Sequence, residues 1–264
     1  YRGCPRQQHC SFCAEGLFSF VDFRQEEDIV AEVDALIQQG ITRFRIGRQA
    51  DIISYKAQLN HVTNGFPRPQ PQPIISLFHE LQKRKESGKI SMLNIDNANP
   101  GSIYYYKNEA STIIDVLAQS VTAGDTLALG VESFDPAVIK KNSLKLQKDQ
   151  LLDVIQLIND IGGTCDNGIH RLLPGINLIH GLIGENADTF KINYESLLEI
   201  LHKGLLVKRI NIRSLVPFPG TIAAQKQKKE GRLLINRYRY YRQKIRHEID
   251  HNMITKLYPV GTVI

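Results

Sequence analysis

Three of the four cysteines fall at the start of the chain: Cys4, Cys10 and Cys13, separated by five and then two residues. Thiolates at such spacing can wrap one metal centre. A structural zinc wants four ligands. His9 could supply the fourth, but it adjoins Cys10 and would strain the loop. An iron–sulfur cluster fits better: three thiolates hold three irons of a four-iron cluster and leave the fourth iron open to a further ligand. Zinc and unrelated buried thiols are the other readings of the spacing. Disulfides fit poorly, because nothing suggests secretion and a chain of 264 residues needs no staples. Cys165 stands alone in a glycine-rich stretch, where a cysteine is more often inert than a ligand, and it is assigned no role.

The elements that must position this loop alternate between helix and strand. Helices are predicted over 26–39, 74–85, 111–123, 149–161 and 194–202, with a helical turn at 135–141. Strands are predicted over 43–46, 90–95, 126–131, 175–181 and 209–216, and the proline-rich 64–73 as an extended loop. Such alternation argues a parallel sheet. Polar residues gather just after the strands: Gln49, Asp96, Glu132 and His180. In barrel-like βα folds the loops at that end converge on the active site. The apolar strand expected before Tyr1 is nearly absent, and the chain opens on Tyr rather than Met, so it reads as a fragment with its first strand cut short.

Hydrophobic residues make up 42% and charged residues 23%, which excludes wholesale disorder. No apolar run approaches the ~20 residues that span a bilayer, so no membrane partner is expected. The net charge of +6 is concentrated: residues 225–264 hold ten basic and three acidic side chains, and the remainder is close to neutral. Leu234, Tyr238, Tyr241, Ile245 and Ile249 recur there at helical spacing, with Arg239, Arg242 and Arg246 on another face. A solvated face is the default for a charge run, but basic residues interleaved with tyrosines also suit phosphate contact and base stacking, so RNA is one expected partner. The end, 258–264, reads as the start of a strand in a following element, such as a small β-barrel.

In these features the chain resembles the radical S-adenosylmethionine (SAM) enzymes, closest in pattern to the tRNA methylthiotransferase, Elongator-like and cobalamin-dependent branches. The aromatic before the last cysteine is Phe12, while the usual spacing of three then two residues is here five then two. The resemblance implies a partial, six-stranded parallel βα barrel over residues 1–221, with a basic helical extension over 222–264. It implies a four-iron four-sulfur cluster on Cys4, Cys10 and Cys13, and SAM bound at the open iron. Gly47, Arg48 and Gln49 occupy the place of the element that holds the methionyl amine. Gln49 stands where an acidic residue is usual, so that contact falls to backbone carbonyls. Glu132 and Ser133 would approach the ribose and methionyl carboxylate. His180 and the following Gly181–Glu185 stretch lie near the expected adenine position, and Phe12 and Leu215 join the cofactor-binding set. Pro217 to Thr221 matches the segment after strand six in those branches.

The implied activity is reductive cleavage of SAM to a 5′-deoxyadenosyl radical for substrate modification, with ferredoxin or flavodoxin as electron source and an RNA nucleoside as the leading substrate. An oxygen-labile open iron implies a reducing, cytoplasmic setting. Two other functions use the same residues: a zinc-stabilised RNA-binding module, and a non-catalytic iron–sulfur electron carrier. Several site residues have plainer readings as well. Glu132 could be a strand-end surface charge, Gly47 a turn glycine, and His180 a hydrogen-bonded core histidine. Asp96, Asn97 and Asn99 could simply form a turn before Pro100.

Overall fold

A computed structural model describes residues 1–226 and 232–258. After the cysteine loop the chain forms α1 (Glu26–Gln38), β1 (Arg43–Ile46), a hairpin of β2 (Gln58–Thr63) and β3 (Phe66–Arg68), α2 (Pro71–Glu86), β4 (Met92–Ile95) and β5 (Asn97–Ala98). Then come α3 (Pro100–Tyr105), α4 (Lys107–Ser120), β6 (Asp125–Glu132), α5 (Pro136–Lys141), α6 (Lys148–Gly162), a small hairpin of β7 (Cys165–Asp166) and β8 (Ile169–His170), and β9 (Leu172–His180). The chain closes with α7 (Ala187–His202), β10 (Arg209–Ser214), α8 (Ile222–Lys226), α9 (Arg232–Ile245), one π-helical stretch (Arg246–Asp250) and α10 (His251–Leu257).

The wall strands are parallel, as the alternation requires. β1 pairs with β4, and β10, β9, β6 and β5 form a second sheet in that order. The segment 92–98 passes from one sheet to the other at Asp96, so the wall has five positions among the described residues, against the six expected. Side chains bridge the gap between the sheets. Asp125 accepts from the backbone N–H of Ile95 (2.8 Å) and from the Asn94 amide (3.0 Å), and the Thr122 hydroxyl accepts from the Leu93 N–H (2.9 Å). β6 and β9 are buried along most of their length, because helices cover their outer faces. One core joins these strands to α2, α4, α6, α7 and the π stretch, from Phe44 and Phe78 through Ile113 and Leu129 to Ile200 and Ile249.

Several element boundaries differ from the sequence-based expectation, each for a local reason. The proline-rich stretch holds β3 and the first turn of α2 rather than a loop. Pro71 and Pro73 fall in that first turn, where the backbone N–H has no helical acceptor to lose. Pro100 likewise opens α3, capped by Asn99, whose side chain accepts from the Gly101 N–H (3.0 Å). α7 begins at Ala187, earlier than the expected start, because Asn186 and Thr189 cap each other's backbone N–H groups. In the tail the apolar stripe packs as its spacing predicts, with Ile245 and Ile249 buried. The expected strand start over 258–264 lies, beyond Tyr258, outside the described residues. No helix among the described residues is long and apolar enough to cross a membrane.

Candidate metal and cofactor site

The cysteine loop lies over the C-terminal ends of the wall strands and is fastened on two sides. Ser11 donates its N–H to the Asn142 carbonyl (3.1 Å) and its hydroxyl to the Asn142 side chain (2.7 Å). Asn142 is fully buried and also holds the Val138 and Ile183 carbonyls (both 2.8 Å), so one amide ties the loop to α5 and to the turn after β9. Beneath the loop, Cys10, Phe12, Ile179 and Leu215 pack on a small cluster of Val138, Ile139, Leu144 and Leu182.

Arg6, between the first two cysteines, makes the second fastening. Its guanidinium donates to the carbonyls of Ser143 (2.6 Å) and Leu144 (3.1 Å) and to Cys10 Sγ (3.5 Å). It also lies over the Phe66 ring, 4.8 Å from the centre. Its Nε is buried without a hydrogen-bond partner.

Under the loop is a cavity of about 500 Å³. Cys4, Cys10, Cys13 and Phe12 line it together with Arg48, Gln49, Gly130 and Glu132, so the structure brings most of the sequence-selected residues to one place. Gly47 stands just behind. A Cβ there would lie 2.8 Å from Asp96 Oδ2, so its lack of a side chain lets Asp96 close on the end of β1. Ser133, His180 and Leu215 do not line the cavity. Ser133 is buried against Asn193 (3.3 Å) and accepts the Asp135 N–H (3.2 Å). His180 is bonded to Glu185 (2.8 Å), and the Tyr238 ring of α9 stacks on it at 4.3 Å. Leu215 donates its N–H to the His180 carbonyl (2.7 Å) and packs in the cluster under the loop.

Three cavity residues had no sequence signal as site candidates. Lys145 Nζ donates to the Gly130 carbonyl (2.8 Å) and pairs with Glu132 Oε1 at 3.2 Å. Asp51 is buried and accepts four hydrogen bonds, from the N–H groups of Ile53 and Asn99 and the hydroxyls of Ser54 and Ser102. Arg6 is the third. Lys145 sits between two buried leucines, and Asp51 caps the local turn at Ile53 and Ser54 but takes its other two donors from about fifty residues away, so neither reads as a site residue from local spacing.

The electrostatics follow from burial. Burial pushes the Cys4 thiol up to about 11 and raises Cys13 as well. Burial also raises the Glu132 carboxyl, opposed by Lys145 and by Arg213. Burial would lower Lys145, but the Cys10 thiol and Glu132 outweigh it and hold the amine above its ordinary value. The cavity thus combines partly buried thiols with two cations, the buried Arg6 and the largely buried Lys145, that favour anionic sulfur. Among the described residues no group of three His, Cys, Asp or Glu side chains is close enough to hold a metal ion.

Solved structures share this fold. Methylornithine synthase superposes with a TM-score of 0.56 at 14% identity, over 97% of this chain and 66% of that one. Coproporphyrinogen III oxidase of Escherichia coli, described as a radical SAM enzyme, gives 0.54 at 16% identity, over 93% of this chain and 50% of that one. A radical SAM methyltransferase from Kitasatospora setae, solved with cobalamin and a [4Fe-4S] cluster, gives 0.55 at 14% identity, over 84% of this chain and 37% of that one.

The chain has the radical SAM fold.

In sequence, this radical SAM-fold chain is 39% identical to an uncharacterised protein of Methanocaldococcus jannaschii, over 100% of the chain and 49% of that protein. It is 37% identical to one from Archaeoglobus fulgidus, over 99% of the chain and 48% of that protein. The chain therefore spans about half the length of these relatives. No family model matches it.

Proposed function

We propose that this chain is the catalytic barrel of a radical SAM enzyme, with a four-iron four-sulfur cluster held by Cys4, Cys10 and Cys13. The observation that carries the reading is the convergence of those three thiols with Gln49 and Glu132, from the ends of two wall strands, on one cavity of about 500 Å³. A cluster held there would supply the electron for reductive cleavage of SAM to methionine and a 5′-deoxyadenosyl radical, the species used for hydrogen abstraction.

The chain's own residues do the rest. Cys4 and Cys13 give up protons that burial otherwise holds on them, so loading releases protons. Arg6 and Lys145 offset the negative charge gathered at the sulfurs. The backbone carbonyls of Gly47, Arg48 and Gln49 would accept hydrogen bonds from the methionyl amine. Glu132, held by Lys145, presents a carboxylate to the ribose, and the Lys145 ammonium is free on its remaining side for the methionyl carboxylate. Phe12 and the cluster beneath it close the floor against water. The electron donor would be a ferredoxin or flavodoxin, and the setting cytoplasmic.

The test is anaerobic reconstitution followed by iron and sulfide counts, then addition of dithionite and SAM. About four irons per chain and formation of 5′-deoxyadenosine are expected, with both lost in Cys10→Ala. One zinc, no sulfide and no SAM cleavage would overturn the proposal.

A further inference from the structure

A second cavity, of about 220 Å³, opens between β10 and the helical tail, lined by Ile210, Asn211, Ile212, Arg213, Arg242, Arg246 and Asp250. β10 is an edge strand. Arg242 and Arg246 are four residues apart on the tail helix and so share a face. Among the described residues none of these three arginines makes a hydrogen bond or an ion pair within 4 Å, whereas Arg24, Arg45, Arg68 and Arg84 all do. The one acid in the cavity is Asp250, whose carboxyl burial pushes up, opposed by Arg246 and the Ile210 backbone. The lining therefore carries an excess of about two positive charges over its single carboxylate.

The cavity adjoins the cysteine site. Asn211 donates its amide to Asn177 Oδ1 at 3.0 Å; Asn211 lines the second cavity and Asn177 the first. Arg213 also acts on the Glu132 carboxyl at the wall of the first cavity.

We propose that Arg213, Arg242 and Arg246 form an anchoring site for a phosphoester group, next to the cysteine cavity across the Asn177–Asn211 pair. The number of forks argues for phosphate over carboxylate. One guanidinium satisfies a carboxylate in a two-point contact, while a phosphate offers further oxygens and up to two charges. The volume is several times the ~30 Å³ share of one water, so more than a bare ion fits. A terminal phosphate on a small molecule and a phosphodiester in RNA share this chemistry. Anion binding stands on the arginines alone; that the anchored molecule is the substrate rests on the proposed function.

The test uses the protein without reconstitution, so its result does not depend on the cluster. Equilibrium dialysis is run with inorganic phosphate, adenosine 5′-monophosphate and a short single-stranded RNA. Arg213→Gln and Arg246→Gln are each expected to weaken retention at least about ten-fold, the loss of a charge-assisted bond. Arg239→Gln, on the same helix but outside the cavity, should change it by no more than about three-fold. Thermal melts check each variant's fold. Arg246→Lys, which keeps the charge but not the fork, should still lose several-fold. Retention of the monophosphate but not the RNA supports the site and assigns it a small phosphoester; the reverse supports it and assigns it a nucleic-acid backbone. Retention of no probe, or an equal loss in Arg239→Gln, overturns the proposal. Either result leaves the iron and sulfide counts of the proposed function to be decided separately.

Discussion

Glu132 and Lys145 meet beside a residue that has no side chain. Their carboxylate and ammonium are 3.2 Å apart, and a Cβ on Gly130 would lie 2.6 Å from the first and 2.7 Å from the second. Glu132 reaches this position with a positive φ of 69°, at an irregularity in the β6–β9 register. Backbone conformation and a missing methyl thus combine to bring a buried acid and a buried base to the cavity wall.

Gly130→Ala tests that wall. The atoms it meets are the ends of flexible side chains, and the strand gains by losing a glycine, so stability should change by no more than about 1 kcal/mol. Lys145 and Glu132 must part, so SAM retention by the reconstituted protein should weaken at least about ten-fold. Urea melts and equilibrium dialysis on the same preparation separate the two effects. Unaltered SAM retention would remove the pair from the binding site.

Arg6→Gln should act on the cluster's potential as well as on the fold. It removes the charge-assisted donors to the Ser143 and Leu144 carbonyls, which costs roughly 1–3 kcal/mol. It also removes a positive charge 3.5 Å from Cys10 Sγ. The reduced, more negative cluster loses more than the oxidised one, so the midpoint potential should fall. A redox titration followed by electron paramagnetic resonance reads it; a potential equal to that of the parent protein would limit Arg6 to holding the loop.

Asp51→Asn is expected to destabilise the fold by roughly 2–4 kcal/mol. The carboxylate receives two N–H groups and two hydroxyls, and an amide nitrogen cannot accept. The loss should appear as a lower urea midpoint with the slope unchanged. Loss of less than a few tenths of a kcal/mol would mean that the amide regains all four partners.

The cysteine triad, the polar strand ends and the helix–strand alternation were legible in the sequence because each is a local pattern of type and spacing. Gln49 and Glu132 follow apolar strands, and both face the cavity. What was not legible is long-range pairing. Lys145 looks like an ordinary turn lysine until β6 brings Glu132 beside it, and Asp51 draws two of its four donors from α3 and the residue before it. His180 shows the converse. Its place at the end of β9 matches a site position, yet Glu185 and Tyr238 engage it on the side of the helical tail. Tyr238 and Tyr241, on the apolar stripe, pack on His180 and Tyr194, while Tyr240 stays more than half exposed. Helix starts were misplaced at 74 and 194 because proline and asparagine caps were read as loop.

A pH-dependent clamp joins α1 to α2. Arg84 grips both oxygens of Asp34 (2.6 and 2.7 Å), and that hydrogen bonding lowers the Asp34 carboxyl below its ordinary value. A depressed acid contributes stability above its unfolded value, about 4, and loses it as pH falls through the folded value. Melting temperature should therefore drop more steeply with acid in the parent protein than in Arg84→Gln. Asp34 is 43% exposed, so solvent screens the pair and the difference should stay below about 1 kcal/mol. Parallel acid profiles would remove the pair from the stability balance.

The amide contact between Asn177 and Asn211 also has a thermodynamic consequence. Each side chain faces its own cavity, and each can be drawn away from its neighbour by an occupant that offers a better partner. If filling one chamber changes the free energy of filling the other, linkage requires the effect to be equal in both directions. An occupant that breaks the contact from one side relieves the other of that cost, so the two chambers fill cooperatively; one that depends on the contact makes them compete.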